Sequence, residues 1–451
     1  VKFNLNPRSL MFTRFLMLAA ALCLLNVAGN ALDVNAQGFD NVERQRAQDM
    51  MGVVKDDIKK NYYDATYHGI DVEARFKSAQ EKIKQATSLG QALGIIAQAV
   101  IDLNDSHTFF SPPARPVHVE YGWRMQMIGD KCYISAIKPG SDAEKQGVKV
   151  GDEVIALENF RPTRKEMWKM EYYYFALSPR PGVRLTVQSP NGQPRQLDVA
   201  AAVRQDKRTL NLEDTTDLWQ LIRASEDADR FYRHRFYTLG NVVIWKMPNF
   251  EFEPEQANSI MSDKLRPGSA LILDLRGNPG GYTKTLEQLA GNFFDHDLKI
   301  ADLKGRKEMK PLLAKTHGKS TFDGKLIVLI DSKSASCSEI FARLVQLEKR
   351  GIVIGDNSMG AVMQAKGYGH KIGTMTNIYF GTQVTDADVI TSDGKSLEHV
   401  GVTPDKLMLP MAEDLAAKRD PVMAFAVELL GGKLEPEKAG AMFPVEWMKA
   451  Q

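Results

Sequence analysis

Cysteine is nearly missing from this chain, at three residues in 451. That excludes a disulfide-built scaffold. Cys23 lies in an N-terminal apolar run, which leaves Cys132 and Cys337; Cys337 is crowded among serines, and both are read as free thiols. Charge of one sign is lacking as well. Lys and Arg number 58 against 56 Asp and Glu, a net charge of +2 with no strongly basic block, so nothing points to nucleic acid as a partner. The eight histidines show no ligand spacing, so no metal site is expected. Neither a G-x-G-x-x-G dinucleotide fingerprint nor a Gly-Lys-Ser phosphate loop occurs, and no cofactor is expected. The apolar run Phe15 to Val27 falls short of the roughly 20 residues a spanning helix needs.

What is present begins with a targeting signal. Arg8 and Arg14 precede that apolar run, and small residues follow at Gly29-Asn30-Ala31 and Val34-Asn35-Ala36. Met11 reads as a more natural start than Val1, and cleavage is expected after Ala31 or Ala36, giving a signal peptide over 1–36. Cys23 sits behind the bulky Leu22, unlike a lipid-attachment cysteine, so an exported, periplasmic or extracellular chain without a stable membrane anchor is expected.

Residues 38–116 carry helical periodicity in three stretches, and the third ends in Asn104-Asp105-Ser106-His107-Thr108 before Ser111-Pro112-Pro113. Residues 117–204 change period. Cys132 to Ile137, Gly151 to Leu157, and a hairpin of Val183 to Gln188 with Gln196 to Ala201 around Asn191-Gly192 read as strands. After a charged connector, 205–240, strands and helices alternate over 241–430, which implies a mainly parallel sheet. Within it, the buried strand Leu326 to Ile330 breaks into Ser332, Ser334, Ser336 and Ser338 and resumes as a helix. A side chain at such a helix N-terminus meets backbone N–H groups and a dipole that favour negative charge, as a serine nucleophile and its oxyanion require. Simple helix capping by those serines is the competing reading. A second glycine-rich turn, Arg276-Gly277-Asn278-Pro279-Gly280-Gly281, follows another buried strand.

Two resemblances organise these pieces. The order of the 117–204 strands, with Gly151-Asp152-Glu153-Val154-Ile155, resembles a PDZ domain, although the usual GLG-type carboxylate cradle is absent. It implies a groove for an extended peptide, entered at Tyr121-Gly122-Trp123-Arg124-Met125. Leu273 to Gly281, Ser334-Ala335-Ser336-Cys337-Ser338-Glu339, Asn61-Tyr62-Tyr63-Asp64, Asp105-Ser106-His107-Thr108 and Gly394 to Asp405 together resemble the carboxyl-terminal processing (tail-specific) and tricorn-type core peptidases. This second resemblance implies an α/β, crotonase/protease-like core with an N-terminal helical domain and the PDZ-like module inserted. It implies Ser336 as nucleophile, with oxyanion donors from the Cys337 N–H and the Gly280/Gly281 loop. Many tail-specific peptidases use a lysine base, but its place is held here by Ala361, with Lys366 five positions on. The tricorn-type branch instead implies a tetrad of Ser106, His107, Ser336 and Glu398. The expected function is a serine peptidase acting on peptides or unfolded protein tails; the alternative is a catalytically inactive relative that binds peptide through its PDZ-type groove. Oligomeric state is not legible.

Overall fold

The computed structural model describes residues 39–115, 117–205, 232–373 and 377–447. The expected signal peptide and residues 206–231 of the connector lie outside the described residues.

Three helices open the described chain: α1 (Asn41–Asn61), α2 (Val72–Lys84) and α3 (Leu89–Ile101). Each starts where a side-chain oxygen of Asp40, Asp71 or Ser88 accepts an otherwise orphaned backbone N–H. Their apolar stripes meet one another and close over Phe110, Phe380 and Val384. A short strand, β1 (Phe109–Ser111), follows. Three residues are too few to show a period, so no strand is predicted there from the chain alone.

Strand β2 (Val117–Glu120) leads into an antiparallel sheet of β3 (Trp123–Ile128), β4 (Lys131–Ile137), β5 (Glu153–Leu157), β6 (Gly182–Gln188) and β7 (Arg195–Ala200). A short helix, α4 (Met167–Glu171), precedes β6. These strands bury Met125, Ile134, Leu157 and Leu185 in a core of their own. The exit strand β8 (Ala202–Gln205) pairs antiparallel with β2, so the segment leaves where it entered.

The largest core surrounds a six-stranded sheet. Its strands are β9 (Arg235–Leu239), β10 (Val242–Lys246), β11 (Ala270–Asp274), β14 (Leu326–Ile330), β15 (Ile352–Gly355) and β18 (Lys406–Leu407), in the order β18-β15-β14-β11-β10-β9. All neighbours are parallel except the β10–β9 pair. Helices α5 (Pro254–Lys264), α6 (Thr283–Gly291) and α7 (Cys337–Leu347) follow β10, β11 and β14 in the chain, and their apolar side chains share one core with Trp245, Leu273 and Val328. Helix α8 (Pro421–Leu429) covers Ile244, Ile272 and Leu329 on the opposite face. Strands buried on both faces read as continuous apolar runs, which is why β11 and β14 were plain in the sequence.

A second sheet joins β12 (Leu298–Lys304), β13 (Leu312–Ala314), β16 (Met363–Ile372) and the long β17 (Ile378–Thr391) to β1. Phe109 stands opposite Gln383 in that antiparallel register. This pairing carries the segment after α3 onto the core.

Candidate active site

Four serines leave β14 in quick succession, and their surroundings differ. Ser334 Oγ donates to the Leu275 carbonyl at 2.8 Å, Ser338 Oγ donates to the Asn278 carbonyl at 2.9 Å, and Ser332 Oγ donates to the Met127 carbonyl. Ser336 alone gives its hydroxyl to no backbone carbonyl among the described residues; its neighbour is the Cys337 thiol. It is also the first residue before α7, at φ 56° and ψ −120°. A non-glycine residue in that region carries strain of about 1–3 kcal/mol, which the surroundings must hold.

Glu339 holds it. Fully buried, its Oε2 accepts the N–H of Ser336 and of Ala361, both at 3.0 Å. Its Oε1 accepts Ser358 Oγ at 2.6 Å and the Gly360 N–H at 2.7 Å. Burial lifts its pKa to about 7 against the pull of those four donors. The Ser336 N–H also reaches the Ala361 carbonyl at 2.8 Å. The sequence motif contains Glu339, but nothing in spacing alone assigns it this task.

The glycine turn closes the other side. A Cβ on Gly280 would stand 2.6 Å from Ser336 Cβ, and one on Gly281 would stand 2.6 Å from the Phe250 carbonyl carbon. Only glycine allows that approach. The Gly280 N–H donates to Asn278 Oδ1 at 2.9 Å and is thereby turned inward. Gly281 and Cys337 remain beside each other, with Cys337 Sγ donating to the Gly281 carbonyl at 3.3 Å. Burial pushes the Cys337 thiol up to about 12, so it stays protonated and unfit as a nucleophile.

His107 sits in the turn between α3 and β1. Asp105 shapes that turn: its Oδ1 accepts the His107 N–H at 2.9 Å, the Thr108 N–H at 2.8 Å and Thr385 Oγ1 at 2.6 Å. Glu398, in the loop after β17, accepts the Ser106 N–H at 2.7 Å through Oε1 and Ser106 Oγ at 2.8 Å through Oε2. Ser106 Oγ lies 2.7 Å from His107 Nδ1. A hydroxyl has one proton, and with Glu398 ionised that proton belongs to the carboxylate. His107 must then be the donor, as Nδ1–H, which leaves Nε2 with its lone pair free. The order Glu398–Ser106–His107 was not readable from sequence. Burial lowers the His107 pKa and raises that of Glu398.

The two halves meet on one segment. The Val362 N–H donates to Glu398 Oε2 at 2.9 Å, while the adjacent Ala361 binds Ser336 through its carbonyl and Glu339 through its N–H. No hydrogen bond joins His107 to Ser336 among the described residues. Ala361 is buried and precedes β16, whereas Lys366 lies within that strand. Lys366 is instead paired with Asp386 at 2.5 Å, and Lys333 with Glu171 at 3.0 Å.

The expected peptide entrance lies along β3, an edge strand. Tyr121, Trp123 and Met125 are buried in the core of their own sheet, and the Gly122 backbone packs against Ser141; of the five, Arg124 is exposed. The same strand touches the loop that follows β14, through Gln126 Nε2 donating to Asp331 Oδ2 at 2.6 Å and through the Ser332–Met127 bond.

Residues 240–408 match the model of Peptidase family S41. The tail-specific protease of Haemophilus influenzae is 24% identical over 244 residues, 53% of this chain and 33% of that protein. The carboxy-terminal processing protease CtpB of Bacillus subtilis is 26% identical over 290 residues, 63% of this chain and 54% of that protein. The chain spans about a third of the first relative and about half of the second. Among solved structures, mature CPAF complexed with lactacystin shares the fold, with a TM-score of 0.59 at 15% identity over 83% of this chain and 96% of that one. The matched segment runs from β10 to β18 and contains Ser336 and Glu398, whereas Ser106 and His107 lie before it. The α/β core of this chain, over residues 240–408, is thus a Peptidase family S41 domain by its match.

Proposed function

We propose that this chain is an exported serine peptidase that cleaves peptides or the unfolded tails of proteins, with Ser336 as nucleophile and His107 as base. The observation that carries the reading is the Glu398–Ser106–His107 relay, because it fixes the tautomer in which Nε2 can accept a proton. Ser336 Oγ attacks the scissile carbonyl carbon and its proton passes to Nε2. The charge that develops on the carbonyl oxygen faces the Cys337 N–H at the head of α7, with Gly281 as the second donor. His107, now cationic, returns the proton to the leaving amine, and water repeats the sequence on the acyl-serine. Substrate must bring Nε2 and Oγ within hydrogen-bond distance, a tightening common at sites without ligand.

In this reading 38–116 is an N-terminal helical domain, 117–204 a PDZ-like module, 205–240 a connector and 241–430 a crotonase-like peptidase core. Support for the module comes from its separate core and its zipped entry and exit strands. Among the described residues no helix is long and apolar enough to cross a membrane.

A fluorophosphonate probe tests the reading. Labelling of the full chain is expected, with loss in Ser336→Ala and strong slowing in His107→Ala. A chain that neither labels nor turns over a casein substrate is the inactive peptide binder, with Ala361 marking the lost base.

A further inference from the structure

Three arginines from two distant parts of the chain converge on one short stretch that the proposed reaction does not use. Arg124 is the exposed residue of β3; Arg233 and Arg235 stand before and at the start of β9, the edge of the core sheet. The stretch is Phe443-Pro444-Val445-Glu446-Trp447, which belongs to no helix or strand. Arg124 Nη2 donates to the Glu446 carbonyl at 2.7 Å, and its guanidinium lies 4.8 Å from the Trp447 ring centre. Arg233 pairs with the Glu446 carboxylate at 2.7 Å. Arg235 donates to the Pro444 carbonyl at 3.1 Å and stands 5.3 Å from the Phe443 ring centre.

The chemistry of these contacts divides in two. Bonds to the Glu446 and Pro444 carbonyls are available from any extended peptide. The carboxylate and the two rings add selectivity, since guanidinium groups recognise both carboxylates and aromatic faces. Arg124 is also three residues, about 10 Å of strand, from Met127, whose carbonyl accepts Ser332 Oγ of the nucleophile loop.

We infer that Arg124, Arg233 and Arg235 form a docking track for an extended peptide that presents an acidic residue between aromatic ones, and that 443–447 is its resident occupant. A substrate segment of the same chemistry displaces that stretch and is thereby placed along β3, leading toward Ser336. The inference rests on reading the 117–204 segment as the peptide-binding part, and it names the kind of peptide.

The test is binding, made in a Ser336→Ala background so that the probe is not cut. The probe is a fluorescein-labelled Phe-Pro-Val-Glu-Trp peptide, followed by anisotropy. The full chain, with its own stretch in place, is expected to bind weakly. Glu446→Ala with Trp447→Ala empties the track and is expected to tighten probe binding at least tenfold. Adding Arg124→Ala and Arg233→Ala returns it to the parent value, and a probe with alanine for its Glu and Trp does not bind. Equal binding by the parent and the Glu446→Ala/Trp447→Ala chain overturns the inference. So does loss of cooperative melting in that variant, which makes the stretch a structural strap. Neither outcome depends on chemistry at Ser336, so a failed fluorophosphonate reaction leaves this result standing on its own.

Discussion

The Ser336 turn and the His107 turn of this candidate site are built in opposite ways. Around Ser336 the anchoring side chains are near in sequence: Ser334, Ser338 and Glu339 lie within three residues, their bonds reach no further than 60 positions, and the buried strand and helix on either side fix the turn between them. Around His107 the decisive partners are far away. Glu398 bonds Ser106 across 292 positions, and Thr385 bonds Asp105 across 280. A site assembled from one local turn and one long-range turn loses its halves separately. Damage to the first acts through strain at Ser336; damage to the second acts through the proton path.

The largest expected effect removes the base. His107→Ala lowers kcat/KM by about 10³–10⁴-fold with little change in melting temperature, since base and nucleophile act as a unit. Initial rates on an unfolded substrate read this directly. Adding Ala361→Lys does not restore the rate. Ala361 is 5% exposed, so the longer chain overpacks its surroundings at about 1–3 kcal/mol, and the new ammonium needs its pKa depressed before it can act. Full recovery in the double variant would mean the site is a disguised lysine dyad.

Breaking the relay is expected to cost less, about 10²-fold in kcat for Ser106→Ala, with KM unchanged. The pH profile sharpens this. At low pH a protonated Glu398 donates to Ser106, Ser106 donates to Nδ1, and the proton moves to Nε2, where it blocks the base. Activity therefore rises with pH as Glu398 and His107 both lose protons. Burial raises the first pKa and lowers the second, so the His107 step falls below the ordinary histidine value of about 6.5 and the Glu398 step lies above the ordinary carboxylate value. The wild-type limb should follow two protons and Glu398→Gln only one. A one-proton limb in both would detach Glu398 from the base.

On the nucleophile side the effects fall on stability first. Glu339→Gln points an amide nitrogen at the backbone N–H groups of Ser336 and Ala361; Ser336 keeps the Ala361 carbonyl as acceptor, and leaving the Ala361 N–H unsatisfied costs about 1–3 kcal/mol. Urea denaturation measures that loss, and kcat falls with it as Ser336 relaxes from its strained φ. Unchanged stability would show that Glu339 does not hold the turn. The smallest effect is Ser334→Ala, about 1 kcal/mol, with activity retained.

Much of this was legible in the chain itself because the signals were local. Parallel strands buried on both faces made β11 and β14 plain, and the glycine turn announced a close backbone approach at Gly280 and Gly281. The motif resemblance brought Ser106, His107, Ser336 and Glu398 together before any geometry was known. What stayed hidden lacked a period or a neighbour. Three-residue β1 showed no alternation, and β12 alternates poorly because its burial does. Of the five residues expected to receive peptide, Trp123 and Met125 turn into their own core on either side of the exposed Arg124.

The sequence by itself determined the strand–turn–helix that carries Ser336, the glycines that let it be approached, and the absence of a lysine at Ala361, because each depends on residues adjacent in the chain. Only the tertiary structure decided which of the four serines keeps its hydroxyl from the backbone, and that Ser106 stands between Glu398 and His107. Those outcomes follow from hydrogen bonds between groups 59 to 292 positions apart. Such bonds exist only after β1 has paired with β17 and the core sheet has closed, and no local pattern encodes their direction.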